Sequence, residues 1–183
     1  NGARWTGLED SEYDQGQHDG IAEVLAVSTA GALIRRSVFE ELGGLDQNLS
    51  LFRDDVDFGW RARAAGHSVI AATADIAFHA QAAATERRSI DVEGAFLHRP
   101  LLLDRRNAAY VLLANSSWWI LPWIALQLLG SAFARAIGYL LAKLPGYAAD
   151  EILAIATLFI RPGQILEARK VRKKQRFISA RVI

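Results

Sequence analysis

Apolar and polar positions change rhythm along the chain. Residues 1–20, NGARWTGLEDSEYDQGQHDG, show no apolar periodicity and read as a loop rich in Gly, Asp and Gln. From Ile21 to Ile34 apolar and small residues dominate, which predicts a buried strand around Val24 to Ile34. Ser37-Val38-Phe39-Glu40 has the spacing of a capping box, so a short helix is expected to open at Ser37 and to close at Gly43 and Gly44. Leu45 to Phe52 reads as a loop. A second helix is expected from Asp54 or Asp55 to Gly66, with Phe58 and Ala62 on one face. Ser68 to Ala72 and Ile76 to Phe78 read as short strands around a Thr73-Ala74-Asp75 turn.

After His79 the pattern shifts. Gln81 to Arg106 is mixed and basic, and predicts a linker that includes a surface helix. Ala108 to Leu144 is almost continuously apolar, and Trp118 to Phe133 contains no charge. A bilayer span needs about 20 mostly apolar residues, which Tyr110 to Ala134 supplies. Trp118, Trp119 and Trp123 fit an interfacial belt; a buried hairpin of a water-soluble protein is the alternative. Asp150 to Ile160 repeats apolar residues at helical spacing after an acidic start. It is too short to span and fits an interfacial amphipathic helix ended by Pro162.

Charge refines this picture. The net charge is only +1, so no nucleic-acid partner is indicated. Most acids lie between residues 9 and 57, whereas Arg161 to Arg181 holds eight basic residues and a single acid, Glu167. Such a tail reads as a solvated face or an anchor on anionic lipid headgroups. Basic residues flank the apolar block on both sides, so the positive-inside rule gives no orientation: the block dips and returns, or spans once with the tail outside. The chain has no cysteine, which excludes a disulfide framework, a thiolate nucleophile and a Cys-based metal site. Its start is polar and acidic, unlike a signal peptide, and it lacks Met throughout; a piece of a longer protein is expected.

The chemistry concentrates in Arg53-Asp54-Asp55-Val56-Asp57-Phe58-Gly59-Trp60-Arg61. Three carboxylates within four positions repel one another. The helix macrodipole alone accounts for one or two of them, and the ligand spacing of a calcium loop is absent. An ionised carboxylate at a helix start, beside Arg53 or Arg61, can take a proton from an attacking hydroxyl. Upstream, Thr29-Ala30-Gly31 puts a position without a side chain where a ligand or backbone can approach closely. Gly43-Gly44-Leu45-Asp46 is the tight connection that returns the acidic helix toward it.

The run from Ser28 to His79 resembles the GT-A fold of family 2 glycosyltransferases: a small-residue strand, a helix ending in Gly-Gly-Leu-Asp, an acidic cluster, Arg61, a later Gly and a strand ending in His. The flanking Glu12 to Asp19 and the apolar block resemble large actinobacterial-type membrane glycosyltransferases. The resemblance implies an α/β fold, an incomplete GT-A (Rossmann-like) domain followed by a helical membrane-associated region. Its divisions fall at residues 1–98, 99–144 (linker and membrane-embedded helices) and 145–183 (amphipathic helix and basic tail). It makes Asp55 the catalytic base, Gly31, Asp54, Asp57 and Arg61 substrate-binding positions, and His79 a ligand of Mg²⁺ or Mn²⁺. It further implies a nucleotide-sugar donor, a glycan or lipid-linked acceptor, contact with membrane lipids, inversion at the anomeric carbon, and a catalytic part on the cytoplasmic side of the cell membrane. The family's nucleotide-binding half, with its own Asp-x-Asp motif, is missing, so this chain alone is expected to be inactive. The competing reading is a non-catalytic scaffold or glycan-binding module of the same shape; a transport subunit built on the apolar block is weaker, because one internal Arg135 makes no pathway.

Overall fold

The computed structural model describes residues 15–16, 20–72 and 99–178. The predicted loop before residue 15, His18, the Thr73-Ala74-Asp75 turn, the Ile76–Phe78 strand and His79 lie outside the described residues. Two short strands, β1 (Ile21–Glu23) and β2 (Ile70–Ala72), pair antiparallel with Ala22 opposite Ala71. The rest is helical: α1 (Arg36–Glu41), α2 (Asp54–Ala64), α3 (Pro100–Asn115), α4 (Leu121–Leu141), α5 (Pro145–Ile160) and α6 (Pro162–Gln175). Among the described residues the α/β expectation is therefore met by one two-stranded ribbon, and helices dominate.

The predicted strand from Val24 to Ile34 is not formed. Ser28 instead caps a 3₁₀ turn, Thr29–Gly31, with its hydroxyl accepting from the Ala30 amide. Small residues permit this turn as readily as a strand, and among the described residues the one strand paired with β1 is β2. Helix α1 begins one residue earlier than its expected cap. Ser37 lies inside it, and Glu40 pairs with Arg36 at 2.7 Å rather than reaching back.

The ends of α1 and α2 follow their glycines. Gly43 and Gly44 both adopt positive φ, and their amides bond the Glu40 and Phe39 carbonyls at 3.1 and 2.8 Å. This is a Schellman closure, which glycine makes without Cβ strain. The end of α2 repeats it: Gly66 bonds Arg63 and His67 bonds Ala62, each at 3.0 Å. Acids fill the first turn of α2 and Arg61 and Arg63 its last, complementing the helix dipole at both ends. Phe58 and Ala62 bury against Leu42 as expected; burying a phenyl ring contributes about 1.5–3 kcal/mol.

Helices α3 to α6 each carry proline in the first two positions, where its missing N–H and fixed φ suit a helix start. The expected span Tyr110–Ala134 is broken at Ser116. Tyr110 is fully buried in α3, and the apolar segment of membrane-crossing length is Trp118–Leu141, mean hydropathy 1.5. The expected linker up to Arg106 is corrected too, since from Pro100 onward it is α3. One core joins Leu49, α3 (Ala109, Tyr110, Val111), α4 (Leu128, Ala132), α5 (Ile155, Leu158) and α6 (Ala168), with Val56 and Trp60 of α2 packed on it. The helical half is thus a wall against the back of α2.

Candidate functional site

The chain enters α2 under strain. Phe52 and Arg53 both have positive φ, 61° and 66°, and neither is glycine. A left-handed conformation at such residues costs about 1–3 kcal/mol each and persists only where surroundings over-determine it. Three residues of α3, Asp104, Arg106 and Asn107, supply that restraint, while Arg105 between them ties α3 to α5. Asp104 takes a two-pronged ion pair from Arg53 at 2.7 and 3.0 Å. Arg105 pairs with Glu151 at 2.9 Å. Arg106 donates to the Asn48 carbonyl and to Asn107, and the buried Asn107 amide donates to the carbonyls of Leu51 and Phe52. The composition of 99–107 resembles a linker because its polar residues are engaged on two sides, Asp104, Arg106 and Asn107 with the loop before α2 and Arg99 and Arg105 with α5, which no periodicity reveals.

Past this bend, the acids of α2 point to different places. Asp55 lines a cleft of about 450 Å³ together with Thr29, Ala32, Arg35, Gly59 and His67. It is 7% exposed, and its Oδ1 accepts from the Val56 amide at 2.7 Å. Asp54 accepts from the Thr29 hydroxyl at 3.2 Å, which ties the 3₁₀ turn to the helix start. Gly31 closes that turn and is exposed, next to the cleft-lining Ala32. Gly59 permits the approach of α2 to residues 25–26: a Cβ there would lie 2.5 Å from the Leu25 carbonyl oxygen and 2.7 Å from the Ala26 Cβ.

Asp57 and Arg61 face away from the cleft. Asp57 is fully buried; Arg61 donates to its Oδ2 at 2.7 Å, while Asn115 and Arg172 donate to its Oδ1 at 2.8 and 2.6 Å. Arg61 also donates to the carbonyls of Leu42 and Gly44, each at 2.9 Å. Arg172 bridges further to Asp46, the last residue of Gly-Gly-Leu-Asp, at 2.7 Å. Asp46 accepts in addition from Tyr110 at 2.7 Å and twice from Asn48 at 2.9 Å. Two carboxylates and two guanidiniums thus form a chain, Arg61–Asp57–Arg172–Asp46, that with Asn115 and Tyr110 ties the turn, α2, α3 and α6 together.

Protonation follows this geometry. Burial alone would raise the Asp46 carboxyl, but hydrogen bonds from Asn48, Tyr110 and Arg172 outweigh it and hold its pKa down at about 2. Burial and the bond to Asp46 push the Tyr110 hydroxyl well above its ordinary value. Burial disfavours the Arg172 charge, yet Asp57 and Asp46 more than restore it, and its pKa is raised.

Asp57 and Arg61, expected as substrate-binding positions, are placed in the interior, bonded to protein groups. One expectation is corrected. The basic tail is not simply a solvated or lipid-facing run, because Arg172 is buried and Arg169 and Arg176 bond the carbonyls of Leu113, Ser116 and Asn115. Sequence reasoning missed Asp46, Tyr110, Asn115 and Arg172 as one unit. An Asp after Gly-Gly-Leu gave a local hint; the partner 126 positions away gave none.

The cleft thus has Asp55 in its wall at a helix start, and the Arg61–Asp57–Arg172–Asp46 chain of ion pairs braces that helix from behind. Residues 2–92 match the family model described as Glycosyltransferase like family 2. This match supports a glycosyltransferase-type function; the cleft and α2 fall within the matched residues, and α3 to α6 lie beyond them. No curated protein and no solved structure matches the chain.

Proposed function

We propose that the chain is the acceptor-side part of an inverting glycosyltransferase, with Asp55 as its base. The observation that carries this reading is the Asp55 carboxylate lining the 450 Å³ cleft at the start of a rigidly held helix. In the complete enzyme Asp55 takes the proton of an acceptor hydroxyl as that oxygen attacks the anomeric carbon of a nucleotide-diphosphate sugar. The C–O bond forms on one face while the bond to the diphosphate breaks on the other. Thr29, Asp54 and Gly31 shape the approach of the acceptor, and Asp57 and Arg61 hold α2 in place.

A bound Mg²⁺ or Mn²⁺ would neutralise charge on the departing diphosphate. Among the described residues no group of three or more His, Cys, Asp or Glu side chains comes together to hold one. The described residues therefore do not by themselves make such a site, and His79 lies outside them. The metal requirement belongs to the proposal through the donor alone and is checked by chelation of the complete enzyme.

The apolar segment Trp118–Leu141 supports placement at a membrane. A nucleotide-sugar donor then puts the catalytic part on the cytoplasmic side, with a lipid-linked or envelope glycan as acceptor, in keeping with the resemblance to large membrane glycosyltransferases. The test is sugar transfer by the complete protein in membranes across a panel of nucleotide-sugar donors, wild type beside Asp55→Asn. Loss of transfer with retained donor binding is the expected result; equal turnover in both would remove Asp55 from the role. Glycan binding without turnover under any donor would favour the non-catalytic scaffold.

A further inference from the structure

We infer that the α4–α5 hairpin is an in-plane, one-sided membrane anchor: it lies in the headgroup region of the bilayer on the side of the cleft and does not cross. This rests on the membrane reading above and gives it a geometry that the sequence left open.

Both ends of α4 are tied to the same domain. At its start, Arg169 of α6 donates to the Ser116 carbonyl at 2.9 Å, and Arg172 and Arg176 bond Asn115. Arg172 also holds Asp57 of α2 at 2.6 Å. The residues just before the apolar segment and the helix that follows the hairpin are thus bonded to each other and to the acidic helix. A single crossing would put α6 on the opposite face from α2, and these bonds exclude it.

A double crossing fails at the other end. Near the end of α4, Arg135 meets the fully buried Glu151 of α5 at 2.9 Å, and Arg105 of α3 meets the other oxygen of Glu151 at 2.9 Å. Asp104, next to Arg105, pairs with Arg53 at the start of α2. The far end of α4 therefore lies beside the water-side domain and not a bilayer's width away from it. Helix α5 has 16 residues, about 24 Å long, short of a hydrocarbon core of about 30 Å.

The surface that remains outside fits lipid. Leu128, Ala132 and Ala136 are the buried stripe of α4, with small residues that let α5 approach. Trp119, Trp123, Leu126, Leu129, Phe133 and Ile137 recur every three or four positions and are 42–71% exposed. Ile152, Phe159 and Ile160 extend exposed apolar surface onto α5. Exposed Lys143, at the hairpin turn, and Arg161, after it, supply cations for anionic headgroups. An exposed apolar face of this extent, rich in Trp and with cationic ends, matches the boundary between headgroups and acyl chains, where such helices bury about 5–10 Å deep.

This chain has no cysteine, so single cysteines can be placed in it once any cysteine elsewhere in the complete protein has been replaced by serine. Single-cysteine variants Arg36→Cys, Lys143→Cys and Lys174→Cys of the complete protein are reacted with a membrane-impermeant maleimide in inside-out vesicles and in intact cells. All three are expected to label in inside-out vesicles and none in intact cells. Labelling of Lys143→Cys from outside alone would establish a transmembrane hairpin and overturn the proposal, as would Lys174→Cys labelling from the side opposite to Arg36→Cys. Flotation on vesicles containing anionic lipid tests the membrane reading separately: protein that stays at the bottom of the gradient ends both. In vesicles that bind, tryptophan emission is expected to be quenched more by lipids brominated near the headgroup than by lipids brominated at the chain end. The reverse order would overturn an in-plane position.

Discussion

Asp55 and Asp57 stand two positions apart on one helix and live in different worlds. Asp55 looks into a cleft with Thr29 and Gly59. Asp57, with no exposed surface, has its two oxygens taken by Arg61, Asn115 and Arg172. Local sequence treats them alike, as acids at a helix start. The difference shows that one turn of helix divides a cleft-lining face from a supporting one, and that the supporting face here is completed from 115 positions further along the chain.

The comparison can be broken from either side. Asp55→Asn removes the proposed base and is expected to lower turnover by about 10²–10⁴-fold with little change in thermal midpoint, read by transfer assays beside a melting curve. Arg172→Ala does the opposite: it takes one cationic partner from the buried Asp57 and the half-buried Asp46 and is expected to cost about 3–5 kcal/mol of stability, measured by denaturant unfolding. Activity lost without a stability change in that variant would refute the supporting role. Gly59→Ala pushes a methyl group into the Leu25 carbonyl and is expected to cost about 1–3 kcal/mol, separating α2 from the 3₁₀ turn that borders the cleft. Asn107→Ala leaves the Leu51 and Phe52 carbonyls unsatisfied beneath the strained entry to α2, at about 1–3 kcal/mol. Its diagnostic sign is a fall in turnover beyond the loss of folded protein.

The smallest effect is one of pH. Asp46 is depressed from 3.8 to about 2 by its partners, so between those values the unfolded chain binds the proton and the folded chain does not. Its contribution to stability is complete above about pH 4 and is lost as pH falls toward 2. Urea midpoints of wild type and Asp46→Asn across that window should converge at the acid end. Parallel curves would place the acid sensitivity elsewhere.

Local rules in the chain determined much of the framework. Gly43, Gly44 and Gly66 ended their helices where φ must be positive, acids opened α2, Phe58 and Ala62 faced its core, and Pro162 separated α5 from the basic helix. These features depend on interactions within a turn or two, which a linear pattern displays. Tertiary structure decided the rest. Residues 24–34 gave up a strand for a 3₁₀ turn because the only strand beside β1 among the described residues is β2. The apolar block split at Ser116 because Tyr110 and Asn115 are needed inside, against Asp46 and Asp57. Arg172 reads as one cation in a solvated run until folding places it between two acids, since a charge in sequence has a sign but acquires a partner only in space.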